Sequence, residues 1–90
     1  MYKLLYTEEA KKQIAKLDER LKGKVKEALE QIADNPVAGK VLSRELKGRF
    51  SYRVGDYRII YRIYHKEITI LVLTIGHRRD VYIRIMRKKW

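Results

Sequence analysis

The sequence predicts an α+β domain, ordered β-α-α-β-β-β(-β), in which an N-terminal helical hairpin packs on a small, mainly antiparallel sheet. Three observations carry this. Apolar residues recur at helical spacing from Ala10 to Ile32, they alternate singly with polar ones after Phe50, and a connector with two glycines separates the two regimes. A chain of 90 residues supports one modest core, so residues 1–90 form a single domain.

Tyr2 to Tyr6 opens the chain as a short strand. Thr7 then caps a helix whose first turn carries Glu8 and Glu9 against the positive helix end, with Ala10, Ile14 and Leu17 on one face. Asp18 is a second cap, and Leu21, Val25, Ala28, Leu29 and Ile32 line a second helix that the run DNP at Asp34 to Pro36 must end. Lysine and glutamate fill the outer faces of this hairpin, where solvation explains them. Val37 to Gly48 is a basic connector without a clear period. FSYRV, a tight turn at Gly55 and Asp56, YRIIYRIY, a turn near His65 to Glu67 and ITILVLTI then read as three strands. In the middle one Tyr57, Ile59, Tyr61 and Ile63 alternate with Arg58, Ile60, Arg62 and Tyr64, so one face is core and the other carries guanidinium groups. The helices should cover the first face. The last strand is apolar on both faces, which calls for cover on the second face as well, from the C-terminal YIRIMRKKW or from another protein.

Composition limits the function. The chain has no cysteine and two isolated histidines, so no metal centre and no cofactor are expected. No apolar run approaches the roughly 20 residues that span a bilayer, which points to a soluble, cytoplasmic protein without a membrane partner. Few Asn and Gln beside abundant Lys, Glu, Arg and Ile point to a thermophilic source. The formal charge of +11 favours polyanionic partners. Its distribution is sharper than its total: Met1 to Asp34 holds 8 basic and 7 acidic side chains, whereas Val37 to Trp90 holds 14 and 4. The excess belongs to the sheet half, as an anion-binding face requires.

Arg53 and Arg58 flank the two-residue turn and, in a hairpin, stand on adjacent strands. Arg78 and Arg79 follow the next strand, with His77 before them and Tyr82 within a turn's reach. Guanidinium suits phosphate because its planar fork donates two parallel hydrogen bonds and stays charged. Cutting RNA without a metal requires a 2′-hydroxyl to lose its proton and attack the adjacent phosphate, the growing charge to be held, and the 5′-oxygen to leave with a proton. The arginines answer the second need. For the proton transfers, His77 is the natural group by its titration range, and Tyr82 becomes a base if surrounding arginines favour its phenolate. Lys47 and Arg49, in the connector, are further candidate RNA contacts. Tyr52, Tyr57 and Tyr61 are core by alternation. Trp90 either packs on the sheet or hangs free.

LKGRFSYRVGDYRIIYRI, followed after a short turn by ITILVLTIGHRRDVY, resembles the RelE/ParE toxin superfamily over roughly residues 2 to 85, with RVGDYRIIY and GHRRDVY as the most telling segments. The resemblance implies the toxin of a type II toxin-antitoxin pair, of which RelE-type members enter the ribosomal A site and cleave mRNA. It matches Arg58 and Arg78 to arginines that stabilise the phosphate transition state, and Arg53 to a basic residue beside the scissile phosphate. Tyr82 matches a tyrosine that orients the substrate base or assists proton transfer, and Lys47 a basic residue ahead of the hairpin. The pattern also departs from the family's: the hairpin turn is shorter, so a second catalytic lysine falls near Ser51 and has no counterpart, and Tyr82 lies closer to Arg78 than its equivalent would. His77 also stands where lysine is common. The implied partners are a separate acidic antitoxin, the ribosome and mRNA. An alternative within the superfamily is a ParE-like inhibitor of DNA gyrase with no RNA chemistry, and a third reading is an RNA-binding module that does not cut. A C-terminal helix over the basic face would block it until a partner displaced it.

Overall fold

The computed structural model describes residues 1–43 and 46–87. Strand β1 (Lys3–Tyr6) is followed by helices α1 (Glu8–Ala15) and α2 (Glu19–Asp34), a 3₁₀ turn at Pro36–Ala38, strands β2 (Lys40–Val41), β3 (Phe50–Val54), β4 (Tyr57–Tyr64) and β5 (Thr69–His77), and helix α3 (Arg78–Arg87). The sheet order is β1-β5-β4-β3-β2, with β1 parallel to β5 and every other pair antiparallel.

Both expected caps are in place: Thr7 Oγ1 accepts from the Ala10 amide at 3.1 Å, and Asp18 Oδ1 from the Leu21 amide at 2.9 Å. The helical hairpin lays Ala10, Val25, Ala28, Leu29 and Ile32 on Ile59, Tyr61, Ile70, Val72 and Ile75, with Tyr52, Tyr57 and Ile63 packed at the margin. The alternation read in β4 therefore holds.

Three features were not foreseen. The connector contributes the two-residue strand β2, too short to show a period of its own. Within β5 the register slips, Ile60 pairing with Thr74 but Tyr61 with Val72, so Leu73 is an extra residue. The bulge sends Val72 and Ile75 to the helical core, and Leu73 to the opposite face. It answers why β5 reads as apolar on both sides. Where β1 stops short, Gln13 closes the edge of β5, its Oε1 accepting from the Ile75 amide at 2.6 Å and its Nε2 donating to Thr74 Oγ1 at 2.9 Å.

The second face of β5 is covered by this chain itself. Val81 and Ile85 of α3, four residues apart, pack on Ile60 and Leu73, with Leu42, Leu46, Leu71 and Tyr82 around them. The C-terminal segment is thus a helix through Arg87, where a further strand was one expectation; Trp90 lies outside the described residues. No helix among the described residues is long and apolar enough to cross a membrane.

Candidate functional site

Strand register decides which basic groups meet. Arg53 on β3 and Arg58 on β4 are direct partners across the tight hairpin, whose turn is made by Gly55 at φ 59° and Asp56. Arg58 is also opposite Gly76 of β5. Alternation puts all three on the face that carries α3. Arg53 is exposed and Arg58 half-buried, so α3 leaves this end of the face open to solvent.

Two like charges directly opposite each other on neighbouring strands repel. Both guanidiniums rest on a single turn carbonyl, Gly55 O, through Arg53 Nε and Arg58 Nη1 at 3.4 Å each, and Arg58 Nη1 reaches Tyr57 O at 3.2 Å. These are long, weak hydrogen bonds. Among the described residues, no carboxylate lies within ion-pair distance of Arg53, Arg58, Arg78 or Arg79. Among the described residues, then, the pair is a concentration of positive charge with no carboxylate beside it, and an incoming phosphate would supply the missing charge.

Arg78 joins this end because its amide donates to Asp56 O at 2.8 Å, tying the start of α3 to the β3–β4 turn. Its side chain and that of Arg79 are exposed. Tyr82, one turn into α3, reaches back across the face, and its hydroxyl lies 2.9 Å from Ser51 Oγ on β3. Arg84 lies over Gly76, where an added Cβ would come within 2.7 Å of its guanidinium. Glycine at that position makes room for a third guanidinium beside the strand pair. Sequence reading missed both Ser51 as a partner and Arg84, because each depends on where a short C-terminal helix docks; the lone glycine in an otherwise bulky strand was the available signal.

His77 is placed differently. It pairs with Tyr57, one step along from Arg58 and Gly76, and so belongs to the helical face. Its ring meets the edge of Tyr57 at a centroid distance of 6.1 Å, and its Nδ1 accepts from the Arg79 amide at 3.3 Å, which caps the start of α3. The structure thus gathers Arg53, Arg58, Arg78 and Tyr82 and leaves His77 on the other side. Lys47 lies exposed in the turn ahead of β3, its carbonyl accepting from Arg49 Nη1 at 3.4 Å; Arg49 is half-buried.

A groove of about 380 Å³ between α1 and α2 has Tyr6, Ile14, Val25 and Leu29 for walls and Lys11, Lys22 and Lys26 at its rim. Burial pushes the Tyr6 phenol up, so it stays neutral there. Among the described residues, no three His, Cys, Asp or Glu side chains gather to hold a metal ion.

Comparison with known proteins places the chain. Residues 4–82 match the family described as ParE toxin of type II toxin-antitoxin system, parDE. The chain belongs to the RelE/ParE toxin superfamily. This toxin is 39% identical to Toxin RelG of Mycobacterium tuberculosis over 85 residues, covering 92% of this chain and 98% of that one. Its fold matches the RelBE2 toxin-antitoxin complex of M. tuberculosis with a TM-score of 0.78 at 38% identity, over 86% of this toxin and 98% of that chain. The isolated E. coli RelE toxin matches with a TM-score of 0.75 over 97% of each chain, and at 22% identity it attests the fold.

Proposed function

We propose that this toxin is a ribosome-dependent endoribonuclease that cleaves mRNA in the A site without a metal, and that a separate acidic antitoxin holds it inactive. The observation that carries the reading is the Arg53–Arg58 cross-strand pair, lacking a carboxylate partner among the described residues, with Arg78 tied to the same turn and Tyr82 anchored on the same face.

The 2′-oxygen of the A-site nucleotide attacks the adjacent phosphorus as its proton is removed. Negative charge grows on the non-bridging oxygens, and Arg53, Arg58 and Arg78 donate to it from fixed strand and helix-start positions. The 5′-oxygen leaves with a proton. Tyr82 orients the reacting nucleotide or takes part in these transfers, and His77, held on the far face, enters only through the placement of α3. Lys47, Arg49 and Arg79 extend the positive surface along the backbone of the RNA. The antitoxin's acidic segment covers Arg58 and Arg78, and reversing the charge of both should weaken its binding.

The test is cleavage in a reconstituted translation system, with 3′ ends mapped by primer extension. Arg58→Ala and Arg78→Ala should each lower cleavage about 10²- to 10³-fold, the range for removing a transition-state donor. Toxicity with no cleavage by the unaltered chain would overturn the proposal. The match of residues 4–82 to a family named for ParE favours one second reading, a gyrase inhibitor, which a supercoiling assay would then reveal.

A further inference from the structure

We propose that Ser51 is a positioning residue for Tyr82, taking over in this toxin the part of the site where the resemblance leads one to look for a lysine. The inference rests on the endoribonuclease reading and adds a residue to it.

Ser51 is the second residue of β3, 6% exposed, between β2 and β4, with Lys40 and Ile60 as its register partners. Serine is a poor choice for a buried strand position, where a β-branched residue packs better. A buried hydroxyl also needs a partner. The Tyr82 oxygen, at 2.9 Å, is that partner, and among the described residues it is the only side chain bonded to Ser51 Oγ.

The surroundings explain why the bond matters. Val81 and Ile85 fix the rotation of α3 through apolar contacts with Ile60 and Leu73, and Tyr82 lies beside that stripe, half-buried. Apolar packing cannot direct a hydroxyl. Ser51 does so, from a strand position flanked by arginines. Arg49 and Arg53 are two residues to either side along the chain, and Arg58 and Arg62 are two residues to either side of its partner Ile60. By alternation these side chains start from the same face, each about 7 Å along a strand from Ser51 or Ile60. The Ser51 hydroxyl therefore holds the phenol oxygen on the face from which Arg53 and Arg58 project. A serine hydroxyl both donates and accepts, so it keeps a hydrogen bond to that oxygen whether or not Tyr82 carries its proton. A lysine there would add charge; serine instead fixes the tyrosine without adding any.

The experiment is single-turnover cleavage of mRNA on programmed ribosomes by the unaltered toxin, Ser51→Ala, Ser51→Thr, Tyr82→Phe and the Ser51→Ala/Tyr82→Phe double variant. Ser51→Ala should slow the cleavage step about tenfold while half-saturation by ribosomes changes less than about twofold. Ser51→Thr should recover most of the rate, and the double variant should be no slower than Tyr82→Phe, because Ser51 acts through Tyr82. Independently of activity, the ¹³Cζ resonance of Tyr82, identified by its loss in Tyr82→Phe, should move in Ser51→Ala. A Ser51→Ala rate within twofold of the parent, a double variant slower by the product of the two single effects, or an unmoved resonance would each overturn the role of Ser51 while leaving the endoribonuclease reading intact. Absence of cleavage by the unaltered toxin overturns both together.

Discussion

Tyr61 shows at the residue scale how a side chain read as core acts as a clamp. Its buried hydroxyl donates to Pro36 O at 2.7 Å and accepts from the Gly39 amide at 3.1 Å, fastening the turn after α2 to the sheet. Removing it strands a backbone N–H, so Tyr61→Phe should lose about 1–3 kcal/mol in urea unfolding at pH 7. Burial pushes the Tyr61 phenol above its ordinary 10.0. The folded chain then binds that proton more tightly than the unfolded chain does. The associated stability is complete below pH of about 10 and is lost as pH rises through the higher folded value. Tyr61→Phe should therefore show a shallower alkaline loss than the parent; equal losses in both would assign it elsewhere, with Tyr6 the next candidate. Ile68 carries the opposite sign. It is β-branched, exposed and held at φ 49°, a left-handed conformation that costs it roughly 1–2 kcal/mol. Ile68→Gly should raise the urea midpoint, since relief of that strain outweighs the little burial lost.

At the scale of elements, α3 is held by few interactions and opposed by its own charges. Arg78 and Arg79 occupy the positive end of the helix, where cations are unfavourable, with Asp80 and the His77 cap as partial compensation. Docking then depends on Val81 and Ile85. Truncating Ile85 to alanine removes about 2–5 kcal/mol of packing, which such a helix is poorly placed to absorb. Hydrogen exchange should show α3 amides of Ile85→Ala losing protection while those of β4 and α2 keep theirs. Uniform acceleration across all elements would instead make α3 an inseparable part of the cooperative core.

Charge dominates the whole molecule. Of the formal +11, nearly all comes from the half that builds the sheet and α3. The ion pairs Lys11–Glu8 and Lys22–Glu19 both lie on the helical hairpin, with Lys22 half-buried and the other three groups exposed. The sheet face therefore presents an unbalanced field that draws polyanions and is screened by salt. If Arg53, Arg58 and Arg78 each contact one phosphate, the logarithm of affinity for single-stranded RNA should fall with that of salt concentration at a slope of about 2. Replacing Arg58 with alanine should reduce the slope by about 0.7; an unchanged slope would remove Arg58 from the contact.

What the sequence by itself determined were the elements whose signal is local and periodic. Caps at Thr7 and Asp18, the apolar stripe from Ala10 to Ile32, the alternation of β4 and the placing of Arg53 and Arg58 on the two strands of one hairpin all follow from neighbours within a few positions. Tertiary structure decided the rest, because each remaining feature depends on residues far apart in the chain. The bulge at Leu73 arises where β5 must serve two cores, and β2 exists only because β3 offers it an edge. A one-residue step along β5 separates Gly76, on the arginine face, from His77, on the other, and no composition or motif reveals that step. The meeting of Ser51 with Tyr82 is of the same kind: 31 positions apart, they touch because Val81 and Ile85 find their apolar partners on the sheet.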